Sequence, residues 1–254
     1  MPDTKPRKPK APDRTANLLH GGSKSDTCPR CHRVRSKTHG IPEISDSDKL
    51  RTVVGEVMAG VRQDRAATLA ADAFMIGALE ARIGGRDYYF VTSSGQQSIR
   101  KEHLGGISYH RGSWELVHVD PPRIPINPKQ RPEMGIDEWR RRAVWEGSWK
   151  TVRGEKVDIP VMPGGRMLKN IDQPCSAIQL LLALSDRLSG QGKWGKVDYV
   201  RMSEQYYIGR DNTTASRQWH GQGNTCSWTA HSCEPCEARI PYLICDVPAN
   251  AIPD

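Results

Sequence analysis

The sequence has no long apolar run. The longest, such as "IQLLLAL" at Ile178–Leu184, fall far short of the ~20 consecutive apolar residues that a membrane-spanning helix needs. A chain threaded through a bilayer as helices is excluded. The basic N-terminus "MPDTKPRKPKAPDR" is followed by no apolar stretch, so the pattern of a secretory signal is missing. There is no even cysteine framework either. The cysteines are Cys28, Cys31, Cys175, Cys226, Cys233, Cys236 and Cys245, two Cys-x-x-Cys pairs and three single residues. That pattern does not read as a small disulfide scaffold and fits metal binding in a reducing compartment. Cytoplasmic residence is the default expectation, although export as an effector through a specialised route would leave no mark in such a sequence. No segment repeats at a fixed period.

What is present bounds the rest. A chain of 254 residues can bury one substantial core. The net charge of +8 is concentrated at one end: ten Lys/Arg against three Asp leave +7 in residues 1–39, and the other 215 residues hold +1. The basic character belongs to a tail, which can touch phosphates non-specifically or stay a solvated leader. Residues 1–16, rich in Pro and Lys/Arg, read as disordered. The organisation expected is therefore a basic tail over 1–45 and an α/β domain over 46–254.

Within the tail, "HGGSKSDTCPRCHRVRSKTHG" (His20–Gly40) places Cys28 and Cys31 at zinc-knuckle spacing with His20, His32 and His39 nearby. Two of these histidines, with His20 and His39 as the candidates, would complete a small zinc site that depends on the metal to fold. Two free thiols in a flexible leader is the other reading. From Asp46 to Gly85 the sequence is helix-like, with Val53, Val57, Met58 and Val61 at three-to-four spacing. "DYYFVTSSG" and "SWELVHVD" (Ser113–Asp120) read as strands. A short helix is expected around Ile136–Glu146 and a loop at Pro160–Gly165. "PCSAIQLLLALSDRL" starts a helix with Ile178, Leu181, Leu182 and Leu188 on its apolar face. "VDYVRMSEQYYIG" (Val197–Gly209) reads as a strand, and "YLICDVP" as a last one. The alternation predicts a sheet covered by helices.

The chemistry concentrates at two expected helix starts. Cys175 opens one, and Cys233 and Cys236 open the next. Thiolates there are favoured by the helix dipole and by unsatisfied backbone N–H groups. Three thiolates on one zinc leave a fourth position for water, the arrangement of a catalytic site. A closed staple completed by Cys226, His231 or Cys245 uses the same residues without chemistry.

The order of a ligand-bearing helix, a strand and a Cys-x-x-Cys helix, in "CSAIQLLLAL … MSEQYY … SCEPC … LIC", resembles the cytidine-deaminase-like superfamily of zinc deaminases. It looks most like bacterial, toxin-associated branches with Cys as first ligand. The resemblance implies a three-layer α/β/α sandwich, zinc held by Cys175, Cys233 and Cys236, and hydrolytic deamination of a nucleobase in a nucleotide or nucleic acid. It also exposes a departure. The proton-carrying Glu belongs two residues after the first ligand, where this chain has Ala177, and Ser232 stands where Pro is common. Glu204, on the intervening strand, is the best substitute for that Glu. Glu234, Glu102 and His103 are weaker ones. His220 and His231 read as loop residues, and Trp219 and Trp228 as packing residues that could also stack on a base. The alternative to an enzyme is a catalytically inactive module of the same fold, with structural zinc and a role in binding nucleic acid or protein.

Overall fold

The computed structural model describes residues 18–66, 69–70, 72–95, 97–120, 149–159, 175–189, 195–212 and 234–252. These form a mixed α/β protein built on a six-stranded sheet: β1 (Leu19–His20), β2 (Ile44–Ser45), β8 (Val197–Ile208), β3 (Ala73–Ile83), β4 (Arg86–Ser93) and β5 (Glu115–Leu116), in that spatial order. β6 (Trp149–Lys150) and β7 (Lys156–Val157) pair separately. The helices are α1 (Arg35–Thr38), α2 (Asp48–Gln63), α3 (Ser176–Ser189) and α4 (Glu234–Leu243).

The long helix expected over 46–85 is in fact a helix followed by a strand. Ser47 begins α2 by accepting from the Leu50 N–H. Leu50, Val53, Val54, Val57, Met58 and Val61 then form its buried stripe. After a connection, Ala73–Ile83 becomes the central strand, paired antiparallel with β4 on one side and β8 on the other. Its Ala, Leu, Met and Glu residues favour helix, but a strand buried on both faces loses the alternation that marks strands, and pairing on both edges overrides local preference. Gly84 and Gly85, expected to end a helix, form the two-residue hairpin turn between Ile83 and Arg86, both with positive φ (60° and 75°) as such turns require.

The sheet is mixed. β3 runs antiparallel to both neighbours, while β2–β8 and β4–β5 are parallel pairs. Alternate residues face opposite cores. Phe74, Ile76 and Ala78 pack with the α2 stripe, whereas Leu79, Ala81 and Ile83 pack with Ile178, Leu181 and Leu184 of α3 and Ile240 of α4. Helices therefore lie on both faces of the sheet. The strand expected at Ser113–Asp120 shrinks to Glu115–Leu116. "YLICDVP" is not a strand: Tyr242 and Leu243 end α4. The edge of β8 is taken instead by β2 from the N-terminal region, so residues 18–45, read from composition as the end of a tail, supply two strands of the main sheet. Ile41 and Ile44 anchor that segment in the α3 core. The expected helix at 136–146, the loop at 160–165 and the residue 1–16 leader lie outside the described residues.

Candidate metal centre

Cys28, Cys31, His39 and Cys245 converge. One ligand atom from each lies within 4.8 Å of all the others, and all four residues are buried. The local chain explains the first three. The Cys28 N–H donates to Arg33 O at 2.9 Å and the His32 N–H to Cys28 O at 2.9 Å, closing a tight turn that continues into α1. The Arg30 N–H points at Cys28 Sγ, at 3.4 Å. His39 caps the C-terminal end of α1, its N–H donating to Arg35 O, and its Nε2 stands 3.3 Å from Cys31 Sγ. Cys245 follows α4, where its N–H donates to Tyr242 O. Cys28, Cys31, Cys245 and Val247 form a small hydrophobic cluster of their own.

The donor set suits zinc. Three sulfurs and an imidazole nitrogen are too soft for calcium or magnesium. Zinc–sulfur bonds of ~2.3 Å place neighbouring sulfurs ~3.8 Å apart in a tetrahedron, within the span of this cluster. Four protein ligands close the coordination shell, which is the form of a structural site.

The protons are distributed unequally among the thiols. A hydrogen bond between the Cys28 and Cys245 sulfurs, together with burial, pushes the Cys28 pKa far above the usual thiol range. The same bond holds Cys245 down at about 3, with His39 and Arg30 adding to it against the cost of burial. Burial raises the Cys31 thiol. The directions favour the thiolate at Cys245 and the protonated thiol at Cys28 and Cys31, so a metal entering the cluster has protons to displace. Arg30 is placed for the resulting charge. Its Nη1 donates to Cys245 O at 3.1 Å and Val247 O at 2.7 Å, and lies 3.5 Å from Cys245 Sγ. A divalent ion with three thiolates carries one net negative charge, which faces this guanidinium; Arg30 also pairs through Nη2 with Glu155 at 3.1 Å, so its charge is shared between the two.

His20, expected among the ligands, is elsewhere. Its ring is fully buried on β1, with Nε2 3.0 Å from Met202 O and Nδ1 3.8 Å from Glu204 Oε2. Cys245 takes the fourth place. The sequence offered Cys245 as a closing ligand for the Cys233–Cys236 group, its near neighbour in the chain, whereas the fold brings it to Cys28, Cys31 and His39.

The second expected group is partly in view. Cys175 immediately precedes α3 and Cys236 lies in the first turn of α4, two helices that pack against each other on one face of the sheet. Cys233 lies outside the described residues, as do Cys226, Trp219, His220, Trp228 and His231. Glu204 is buried beside the start of α3, where its Oε1 accepts from the Ser176 hydroxyl and, at 3.1 Å, from the Ala177 N–H. Glu102 and His103 sit in a 3-10 turn, Lys101–Gly106, packed on α2, with His103 bonded to Asp64 at 3.0 Å. They belong to the opposite face. Glu234 opens α4.

The fold and the four-donor cluster define a mixed α/β protein with a place for one metal ion. No protein-family model, curated protein or solved structure matches the chain.

Proposed function

We propose that this is a zinc-binding protein in which Cys28, Cys31, His39 and Cys245 hold one ion as a structural staple. The carrying observation is the convergence of four buried donors from the N- and C-terminal parts of the chain. The ion ties the Cys28–His39 loop to the end of α4, and β1 packs against that same helix. Zinc titration of the purified full chain, followed by X-ray absorption at the zinc edge, tests this. A Cys28→Ser chain that binds as many zinc ions, as tightly, as the unsubstituted one would remove the reading.

A second reading, deaminase-like hydrolysis of a nucleobase, is favoured by one observation. The carboxylate missing at position 177 is delivered to that same helical turn from the neighbouring strand, by Glu204. In this reading Cys175, Cys233 and Cys236 would hold a second zinc ion, which would acidify a bound water. Glu204 takes and returns the proton, and the basic N-terminal region engages nucleotide or nucleic acid. The inactive module is the counterpart, in which Glu204 serves only as an anchor for α3. Glu204→Gln distinguishes the two on a panel of aminated nucleosides, nucleotides and oligonucleotides. Activity present in the original chain and lost in the variant, with zinc content kept, supports hydrolysis; equal activity removes Glu204 from the chemistry.

A further inference from the structure

Two polar atoms beside the metal cluster are buried without a hydrogen-bond partner among the described residues: His39 Nδ1 and Asp246 Oδ1. They belong to residues next to one another in space. Asp246 follows the ligand Cys245 directly, and its other oxygen, Oδ2, accepts from the N–H of Gly40, the residue after His39, at 2.8 Å. The approach is close enough that a Cβ at position 40 would stand 2.6 Å from Oδ2. Among the described residues Arg153 also approaches this carboxylate, its Nη2 3.5 Å from Oδ2.

Metal binding fixes the chemistry of this pair. His39 presents Nε2 to the sulfurs. A metal on Nε2 takes that lone pair, so the ring's one proton must sit on Nδ1, which becomes an obligatory donor. A buried donor left unsatisfied costs about 1–3 kcal/mol. The buried oxygen that also lacks a partner, on the residue adjoining the fourth ligand, is an acceptor and nothing else while the carboxyl is ionised.

We infer that Asp246 is a positioning residue for the metal centre: its Oδ1 accepts the Nδ1–H of His39 when an ion occupies the cluster, while its Oδ2 holds Gly40. One carboxylate then fixes both the ring orientation and the backbone of the histidine ligand, and adds negative charge that raises the basicity of Nε2. This rests on the cluster binding zinc, the reading given above.

The test is zinc affinity by competition with a chromogenic chelator, on the full chain and on Asp246→Asn. The Cys28→Ser chain identifies which binding phase belongs to this cluster. Asn keeps one acceptor oxygen. If the carboxylate's role ended at Gly40, Asn would fill it and the affinity would be unchanged. With both oxygens engaged, Asp246→Asn weakens this phase by about 10–100-fold. In nitrogen-15 NMR spectra the His39 Nδ1 proton then shifts upfield or exchanges faster than in the unsubstituted zinc-loaded chain. An unchanged affinity, or an unchanged Nδ1 proton, overturns the inference and leaves the zinc staple standing. Absence of zinc from the cluster in the unsubstituted chain overturns both. The unsubstituted chain is also a test by itself, whatever the stability of the variant. Its His39 Nδ1 proton must be downfield and protected from solvent exchange, and a proton exchanging like that of an exposed imidazole overturns the assignment.

Discussion

Withdrawing zinc should open one segment and leave the domain folded. The staple rests on a satellite cluster of Cys28, Cys31, Cys245 and Val247, separate from the two main cores that flank the sheet. Between Gly21 and Gly40 the described chain buries little besides the ligands and Arg35. Ile41 and Ile44, by contrast, sit in the α3 core at 1% and 0% exposure. Loss of an ion present at about 1,000 times its dissociation constant removes ~4 kcal/mol from states that need it. Set against the local opening of this loop, that is about a thousandfold fall in hydrogen-exchange protection. The amides to follow are those of Cys28, His32, Arg35 and Ser36, whose acceptors all lie within the loop. Amides of β3 and β8 should keep their protection, since their ladder does not involve the cluster. Native-state exchange measured with and without a strong chelator reads both sets at once. Equal protection of the loop amides in the two samples would refute the reasoning, as would simultaneous loss across β3 and β8.

Other outcomes follow from the same geometry. Glu204→Ala strips the acceptor from the Ser176 hydroxyl and the Ala177 N–H in a buried site, and should cost about 3–5 kcal/mol in urea unfolding from two unsatisfied donors and a cavity; a loss below ~1 kcal/mol would show that the carboxylate does not anchor α3. Zinc affinity at the cluster should rise with pH through the neutral range. The raised pKa values of Cys28 and Cys31 favour the protonated thiol there, while the lowered one of Cys245 favours the thiolate. Two protons are released on binding, so the dissociation constant should fall by about 100-fold per pH unit, and a flat profile in a chelator-buffered titration would contradict that protonation pattern. Under the hydrolytic reading, Cys175→Ser should remove a second zinc ion and leave the staple's ion in place, as read by metal analysis; a single ion in both chains counts against a metal at Cys175.

Much of the fold was legible as periodicity. The apolar stripe of α2, the helix α3 and the long strand β8 stand where spacing placed them, although α3 is buried all round from Ser176 to Ser185 and not along one face. Ala73–Ile83 was not legible, because a central strand covered on both faces shows neither alternation nor a helical gap, and its composition favours helix. Nor was the incorporation of residues 18–45 into the sheet. Two-residue strands leave no periodic trace, and the basic charge of the region suggested a solvated tail. The cluster was half legible. Cys28, Cys31 and His39 are neighbours in sequence, and short spacing is what a motif can show. Cys245 meets them only through the tertiary fold. His20 was misassigned for a related reason: its proximity in sequence suggested a ligand, but β1 carries its ring to Met202 and Glu204. Glu204 drew notice in the sequence because the resemblance expects a carboxylate at 177; what the structure shows is its Oε1 accepting from the Ala177 amide.

The most direct test of the staple is the zinc content of the purified full chain beside that of Cys245→Ser. The account predicts one fewer zinc ion per chain in the variant, although the substitution lies far in sequence from the Cys28–Cys31 pair. Equal zinc content in the two chains would contradict a metal centre that joins the two parts of the protein.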